Sequence, residues 1–284
     1  MTTLASGLSA AEVLAKVREL PPLPQALRAL QQSLGDESAG AGRLARGLAL
    51  DPALATKTLR LANSSIYGLS RQVHSLADAV AVLGVHNLRT MATAVGVVAS
   101  FSALQCPGFE FRAFWRHSIG VAICARSLAR QQSLDEDTAF TLGLMHDVGR
   151  LALAASFPAE MAHALEHQRA TDALPLDAER AVLGIDHAAV GAMLADHWRF
   201  APALGLAIAG HHEPPRSPHA CLSDVLHVAD NIAHALDLSG LEHDSVPPLS
   251  MAAWLRLNLD DARCRAVFGE AEREHEAVCA ALLT

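Results

Sequence analysis

The segment Gly143-Leu-Met-His-Asp-Val-Gly-Arg-Leu151 places an adjacent histidine and aspartate, His146 and Asp147, inside an apolar stretch with helical character. Burying such a pair without partners would cost several kcal/mol. A neutral imidazole and a carboxylate that face one interior point are typical ligands of a divalent metal. The flanking Gly143 and Gly149 each disfavour a helix interior by about 1 kcal/mol relative to alanine. We therefore expect another backbone or a ligand to approach closely here.

Helix start and stop signals recur throughout the sequence, whereas the alternating pattern of β-strands is absent. Ser9 and Glu12 form a capping box for a first helix, and Asp51-Pro52 starts another. A second capping box, Ser133 with Glu136, is predicted to start the helix that contains the histidine–aspartate pair. The other predicted helices cover approximately residues 53–62, 76–83, 87–101, 112–131, 158–169, 177–183, 202–212, 219–238, 249–257 and 260–282, and a further helix opens at His187. The sequence therefore predicts an all-α fold.

Breaker residues divide the predicted helices into groups. Pro21 follows the first helix, and Cys106-Pro107-Gly108 is the strongest candidate boundary between two helical parts. We expect a smaller N-terminal bundle of short helices at residues 1–105 and a larger multi-helix bundle at 110–240. A helical extension at residues 241–284 would complete the chain.

Composition limits the function classes. The formal net charge of −8 argues against nucleic-acid binding, which requires a basic face. The five scattered cysteines, with no CxxC pair, are typical of reduced thiols in a cytoplasmic protein. The longest apolar run, residues 91–103, is too short to span a bilayer and predicts a buried core helix. We expect a cytoplasmic protein that contacts neither nucleic acid nor membranes directly.

Several further polar side chains fall in predicted helices, or at their ends, where apolar residues are expected. They carry imidazole or carboxylate groups, and they are His117, His187, His211, His212 and Asp230. Ligands from separate helices can converge in an all-α core, where donor atoms about 2.0–2.2 Å from a metal replace the lost hydration. Asp186 is the predicted N-cap of the helix that opens at His187.

Each of these groups also has an interpretation without metal. The pair His146-Asp147 would be hydrogen-bonded internally and kept for packing. The pair His211-His212 closes a helix, where the helix dipole favours an imidazolium. Asp230 would pair with His227 or His234, which lie on nearly the same helix face. The residues alone leave these alternatives open.

The order of the polar residues is similar to that of a known superfamily. His117, His146-Asp147 and Asp230 follow the H…HD…D order of the HD superfamily of metal-dependent phosphohydrolases. His187 and His211-His212 resemble the additional histidines of the HD-GYP branch, whose members are cyclic-di-GMP phosphodiesterases with two or three metals. That resemblance implies a helical bundle of the HD type.

The chain resembles most closely the HDOD (HD-related output domain) family. The stretches that carry this resemblance are Asn63–Gly84, His187–Trp198 and Gly210–Pro215, and it covers approximately residues 12–240. Family members are bacterial signalling proteins that are often regarded as non-catalytic because many have lost metal ligands. The sequence differs from HD-GYP proteins because Glu213–Pro218 replaces their DGxGYP signature. Arg150 replaces the lysine that usually follows HDxG, which changes the geometry of phosphate contact. These differences argue against cyclic-di-GMP hydrolysis.

The resemblance implies an intracellular signalling protein that acts non-catalytically through contacts with other proteins, such as regulator, kinase or cyclase domains. The alternative is a metal-dependent phosphohydrolase or phosphodiesterase, or a sensor of metal or nucleotide, that uses a retained HD-type site.

In the alternative function, one or two divalent ions (Fe, Mn, Zn or Ni) would be bound. The residues that would hold the first ion are His117, His146, Asp147 and Asp230. The second ion would be held by His187, His211 and His212, with Asp147 placed to bridge the two. Arg150 would contact the phosphate of a nucleotide or phosphoester ligand.

Overall fold

The computed structural model describes residues 7–20, 48–49, 51–64, 67, 69, 71–101, 104–242 and 244–283. Every regular element in these ranges is an α-helix, which confirms the predicted fold class. The helices are α1 (Ala10–Glu19), α2 (Pro52–Ala62), α3 (Leu76–Ser100), α4 (Phe111–Gln131), α5 (Glu136–Met145), α6 (Val148–Ser156), α7 (Pro158–Thr171), α8 (Pro175–Leu183), α9 (His187–His197), α10 (Pro202–Ala209), α11 (Leu222–Ala235), α12 (Met251–Arg256) and α13 (Asp261–Leu283). The predicted stop at Pro21 and the stretch 21–47 lie outside the described residues.

Three of the predicted helix starts are confirmed by side-chain caps. Ser9 and Glu12 form the reciprocal capping box of α1, because the backbone N–H of Glu12 donates to the Ser9 hydroxyl over 3.2 Å. The Asp51 carboxylate accepts from the first N–H groups of α2, with Pro52 at the first helical position. The Asp186 carboxylate caps α9 in the same way. These contacts satisfy backbone donors that a helix N-terminus leaves unpaired.

The predicted start of the helix before the histidine–aspartate pair was wrong. Ser133 has a positive φ of 56°, and the next N–H donates back to the Ala129 carbonyl, so Ser133 belongs to the turn that ends α4. Asp135 caps α5 instead. The pair itself was also misplaced, because α5 ends at Met145 and α6 begins at Val148. The pair therefore lies at a junction between two helices and not inside one.

Two glycines lie inside long helices. Gly84 has the non-helical angles φ 81° and ψ 166°, so the break predicted between the helices at 76–83 and 87–101 is present as a kink within α3. Gly269 lies within the continuous α13. In the described part of the chain, α3 is the one helix with the length and composition to cross a membrane, and half of its most apolar window is buried inside the protein.

The glycines that flank the histidine–aspartate pair allow backbones to meet. A Cβ atom at Gly143 would lie 2.5 Å from the Ala122 Cα on α4, so α4 and α5 cross at close contact. A Cβ at Gly149 would lie 1.9 Å from the carbonyl oxygen of His187, so α6 and α9 also touch through their backbones. The close approach predicted from the sequence is therefore made by neighbouring backbone, and it fixes the helices that carry the site.

The two ends of the described chain pack on the middle of the protein. α1 packs against α9 and α6, and the Leu8 N–H donates to the Leu183 carbonyl over 2.7 Å at the end of α8. α13 packs along α4 and also contacts α2 and α3. The division into residues 1–105, 110–240 and 241–284 stays a prediction.

Candidate metal centre

The structure brings the predicted ligand residues together at one site in the core. Six of them are buried, and His212 is partly buried. Two ligand sets have donor atoms within 4.8 Å of one another: His117 with His146 and Asp147, and Asp147 with His187, His211 and His212. Asp230 adjoins the first set, because its Oδ1 lies 2.9 Å from His117 Nε2.

Asp147 lies between the two sets. Its Oδ1 is 3.1 Å from His187 Nε2 and 3.6 Å from the Nε2 atoms of both His146 and His211. The position follows from the helix junction, since Asp147 is the first residue of the turn that opens α6. A carboxylate in this position suits a bridge between two ions.

His146 and His211 have the same hydrogen-bonding pattern. Their Nδ1 atoms donate to backbone carbonyls three residues earlier, over 2.7 Å to Gly143 and 2.6 Å to Ile208. Each Nε2 is buried without a hydrogen-bond partner, and in the neutral ring it would be the lone-pair nitrogen. Buried polar atoms are rarely unpaired, and a ligating histidine commonly donates its other N–H to a carbonyl or carboxylate. The donor set therefore fits a divalent cation.

Glu179 on α8, which the sequence did not single out, supports His187. Its Oε2 accepts from the His187 backbone N–H over 2.8 Å and from the His187 Nδ1 over 2.6 Å. His187 Nε2 is thereby directed at Asp147 and at His212 Nε2, which is 2.8 Å away. Carboxylate support of this kind fixes the ring orientation and raises the basicity of a histidine ligand.

The first ligand set has its own support beyond the predicted residues. His234 Nε2 lies 3.4 Å from Asp230 Oδ1, and its Nδ1 donates to Asp244 Oδ1 over 2.6 Å. Asp244 also accepts from the Ser239 hydroxyl over 2.6 Å. His227, the other predicted partner of Asp230, instead contacts the backbone of His211 and Ser250. Of the two alternatives, the structure therefore selects His234.

Charge coupling keeps the Asp147 and Asp230 carboxylates of the metal-free site ionised, because it holds their pKa values low. Burial by itself would raise the pKa of Asp147, but His146 and His187 outweigh burial and hold that pKa well below its usual value. Burial would lower the pKa of His187, but Glu179 and Asp147 raise it to about 10. Burial, with His211 and His187 beside it, lowers the pKa of His212 to about 2. Without metal, the site thus depends on imidazolium to balance its carboxylates.

A cavity of about 300 Å³ opens onto the site. The ligand residues that line it are Asp147, His187, His212 and Asp230. Arg150, predicted to contact phosphate, also lines the cavity, with Nη1 3.7 Å from Asp147 Oδ2 and Nε 3.6 Å from Glu179 Oε1. A ligand in this cavity would contact both the arginine and the ligand cluster.

The residues that sequence reasoning missed, Glu179 and Asp244, lack a local signal. Glu179 lies on a short helix with ordinary spacing, and Asp244 lies in a loop. A search for carboxylates within reach of the predicted histidines would require the tertiary fold. His234 did have a signal, because it lies four residues after Asp230 on the same helix face.

The sequence model of the HDOD domain family matches residues 20–214. The chain belongs to the HDOD domain family. The resemblance inferred from the motifs is thereby confirmed. A curated relative, an uncharacterized protein of Treponema pallidum (strain Nichols), is 24% identical over 212 residues. The aligned region is 74% of this chain and 40% of that protein, so the HDOD chain spans less than half the length of its relative.

Solved structures share the fold of this HDOD protein. A candidate phosphohydrolase from Shewanella amazonensis SB2B matches with a TM-score of 0.75 and 28% identity, covering 97% of this chain and 100% of that one. An HDOD domain protein of unknown function from Geobacter sulfurreducens has a TM-score of 0.78 and 23% identity over 96% and 98% of the two chains. A candidate signal transduction protein from Marinobacter aquaeolei VT8 has a TM-score of 0.74 and 25% identity, covering 100% of this chain and 63% of that one.

Proposed function

We propose that this HDOD protein is a metal-dependent phosphohydrolase that acts on a phosphoester or nucleotide within a bacterial signalling pathway. The observation that carries the proposal is the pair of buried Nε2 atoms of His146 and His211, which have no hydrogen-bond partner and lie 3.6 Å from Asp147 Oδ1. His146 Nε2 also lies 3.5 Å from Asp230 Oδ1. A site kept only for packing would bring such groups into hydrogen-bond contact, because each unpaired buried group costs about 1–3 kcal/mol.

The donor set favours particular metals. Imidazole nitrogens and carboxylate oxygens together suit Fe, Mn, Zn or Ni better than Mg or Ca, which prefer oxygen ligands. One ion would be held by His117, His146, Asp147 and Asp230. A second ion would be held by His187, His211 and His212, and Asp147 would contact both ions. When bound, such ions polarise a phosphoryl oxygen and activate water at neutral pH.

The remaining groups of the cavity would bind and orient the substrate. Arg150 lies at the cavity wall and keeps its positive charge near the position of the ions, so it suits a phosphoryl oxygen. Glu179 holds the ring of His187 and so keeps its Nε2 directed inward. Pro247 and Pro248 also line the cavity and contribute stiff apolar surface, which suits the organic part of a phosphoester.

The proposal is tested by metal analysis and turnover on the same preparations. Protein purified without chelator and with air excluded is expected to hold about two equivalents of metal, as in two-metal phosphatases. It should hydrolyse bis(p-nitrophenyl) phosphate or p-nitrophenyl phosphate. His146→Ala and Asp147→Asn should lose both metal and turnover. His163→Ala, on the exposed face of α7, is the matched control and should retain both.

A folded wild-type protein that takes up none of Fe, Mn, Zn or Ni would refute the metal assignment. Metal binding without turnover of any phosphoester would leave the sensor role and refute the hydrolase.

A second candidate is a non-catalytic signalling role through contacts with regulator, kinase or cyclase domains. It is favoured by the arginine at position 150 and by the segment Glu213–Pro218, which replaces the DGxGYP signature. The similarity to a candidate signal transduction protein supports it as well. Both candidate functions place the protein in the cytoplasm. Pull-down of partner proteins with wild-type protein and with His146→Ala separates the two candidates. A non-catalytic role does not require the metal ligands, so both proteins should then capture the same partners.

A further inference from the structure

A second cleft of ligand size lies where α2, α4, α13 and the end of α3 meet. Its volume of about 430 Å³ is within the range of small-molecule sites. It shares no lining residue with the cavity at the metal centre. One of its walls is α13, which lies beyond the segment matched by the family model. The cleft is therefore separate from the site described above.

The base of the cleft is apolar. Leu104, Phe111 and Leu283 line it with partly exposed side chains, and the buried Trp115 also lines it. Val98 completes this surface from α3. Aromatic and aliphatic side chains of this kind bind a hydrocarbon group by removing its surface from water.

The rim of the cleft is cationic. Lys57, Arg112 and Arg116 line it together with a single carboxylate, Glu276. Arg116 pairs with Glu276 over 2.6 Å, and Lys57 Nζ donates to the Leu282 carbonyl over 3.2 Å. Arg112 is exposed and donates no hydrogen bond within the described part of the chain. The rim therefore keeps an excess of positive charge beside an apolar base.

We infer that this cleft binds a small amphipathic carboxylate of the fatty-acid class. The hydrocarbon tail lies on Leu104, Phe111 and Leu283, and the carboxylate accepts hydrogen bonds from the planar fork of Arg112. A neutral hydrocarbon would leave the cationic rim without a counter-charge, and a wholly polar anion would leave the apolar base exposed to water. An amphipathic anion is complementary to both surfaces.

The cleft shares a helix with the metal centre, because Trp115 and Arg116 directly precede His117 on α4. A carboxylate ligand could also bind at a metal ion, so the two locations must be separated by experiment. Titration in the presence of EDTA does this, since the cleft contains none of the metal ligands.

The test is isothermal titration of the full chain with octanoate below its micelle concentration, with and without EDTA. Wild-type protein is expected to bind one equivalent equally in both conditions. Arg112→Gln should weaken binding about tenfold, the value of one charge-assisted hydrogen bond. Ala280→Phe should abolish binding, because residue 280 lines the cleft with an exposed side chain that can enlarge without disturbing the core. Arg265→Gln, the same charge change on α13 at a residue that does not line the cleft, is the matched control and should bind as wild type.

Three results would overturn the inference. The first is absence of octanoate binding by folded wild-type protein. The second is binding that EDTA removes, which would place the carboxylate at the metal centre. The third is equal binding of octanol, or equal binding by Arg112→Gln, which would show that the rim does not select an anion.

Discussion

Glu179 provides the sharpest test of how the centre is held together. Its side chain is 2% exposed, and one oxygen accepts both donors of His187, the backbone N–H over 2.8 Å and Nδ1 over 2.6 Å. Glu179→Gln keeps the shape of the side chain and an acceptor oxygen. It removes the negative charge that orients His187. It also places a neutral amide near Arg150, whose Nε in the wild type lies 3.6 Å from the second carboxylate oxygen of Glu179. The substitution therefore changes support for the ligand without touching the ligand cluster.

The expected magnitude follows from these contacts. Replacing a charge-assisted hydrogen bond with a neutral one costs about 1 kcal/mol. The lost attraction to Arg150 adds to this cost. Mutations of such supporting groups typically weaken metal affinity by about 10–100-fold. We expect this loss of metal affinity at the ion position formed by His187, His211 and His212. The metal affinity of the position formed by His117 and His146 should not change.

The assay is competition of the metal-loaded protein against a chromogenic chelator, with elemental analysis after dialysis. Glu179→Gln should retain one ion and lose the other at a chelator concentration where wild type retains both. Glu166→Gln, an exposed glutamate on α7, should behave as wild type. If a folded Glu179→Gln protein holds both ions with unchanged affinity, then the carboxylate does not support a ligating histidine and our reasoning about the second position fails.

Further predictions concern packing, protonation and metal removal. Gly149→Ala places a Cβ 1.9 Å from the His187 carbonyl oxygen, so it should lower the free energy of unfolding by about 1–3 kcal/mol in urea melts. Gly205→Ala is the control and should leave the free energy of unfolding unchanged, because its Cβ would have no neighbour closer than 3.9 Å. In metal-free protein the raised pKa values of His187 and His234, about 10 against an ordinary 6.5, contribute stability that is present below pH 6.5 and lost as pH rises towards 10. The Tm of EDTA-treated protein should therefore fall over that interval, and a flat profile would contradict the charge coupling. Reloading with free metal at 100 times the Kd should restore about 2.7 kcal/mol, seen as a higher Tm that His146→Ala does not show.

Local patterns in the sequence were sufficient for the all-α class and for the ligand types. The caps at Ser9, Asp51 and Asp186 depend on contacts between residues at most three apart, so the local sequence indicated them. The histidines and aspartates were recognisable because polar groups in apolar helices require partners. The all-α fold class follows from the same signals, whereas membership of the HDOD family rests on the resemblance of particular stretches and on the match to the family model.

Contacts between distant elements could not be predicted from those patterns. Serine is a residue type that favours N-caps, but Ser133 lies in the turn that closes α4 and does not cap α5. Asp244 and Glu179 reach the site only because the loop after α11 and the helix α8 fold back against it. His227 lies three residues from Asp230, yet the backbone of His211 and Ser250 occupies its ring nitrogens. In each case a tertiary neighbour decided between partners that were equally available in the sequence.

The packing of α1 and α13 onto the middle of the protein has a practical consequence for how related sequences are divided. The family match begins at residue 20 and ends at residue 214, so it omits α1, α11, α12 and α13. A chain trimmed to those limits would lose Asp230, uncover the apolar faces of α4 and α9, and leave Leu183 without its partner at Leu8. The unit that folds is therefore longer than the segment by which the family is recognised. Boundaries chosen for expression or for domain swaps should follow the helices and not the similarity.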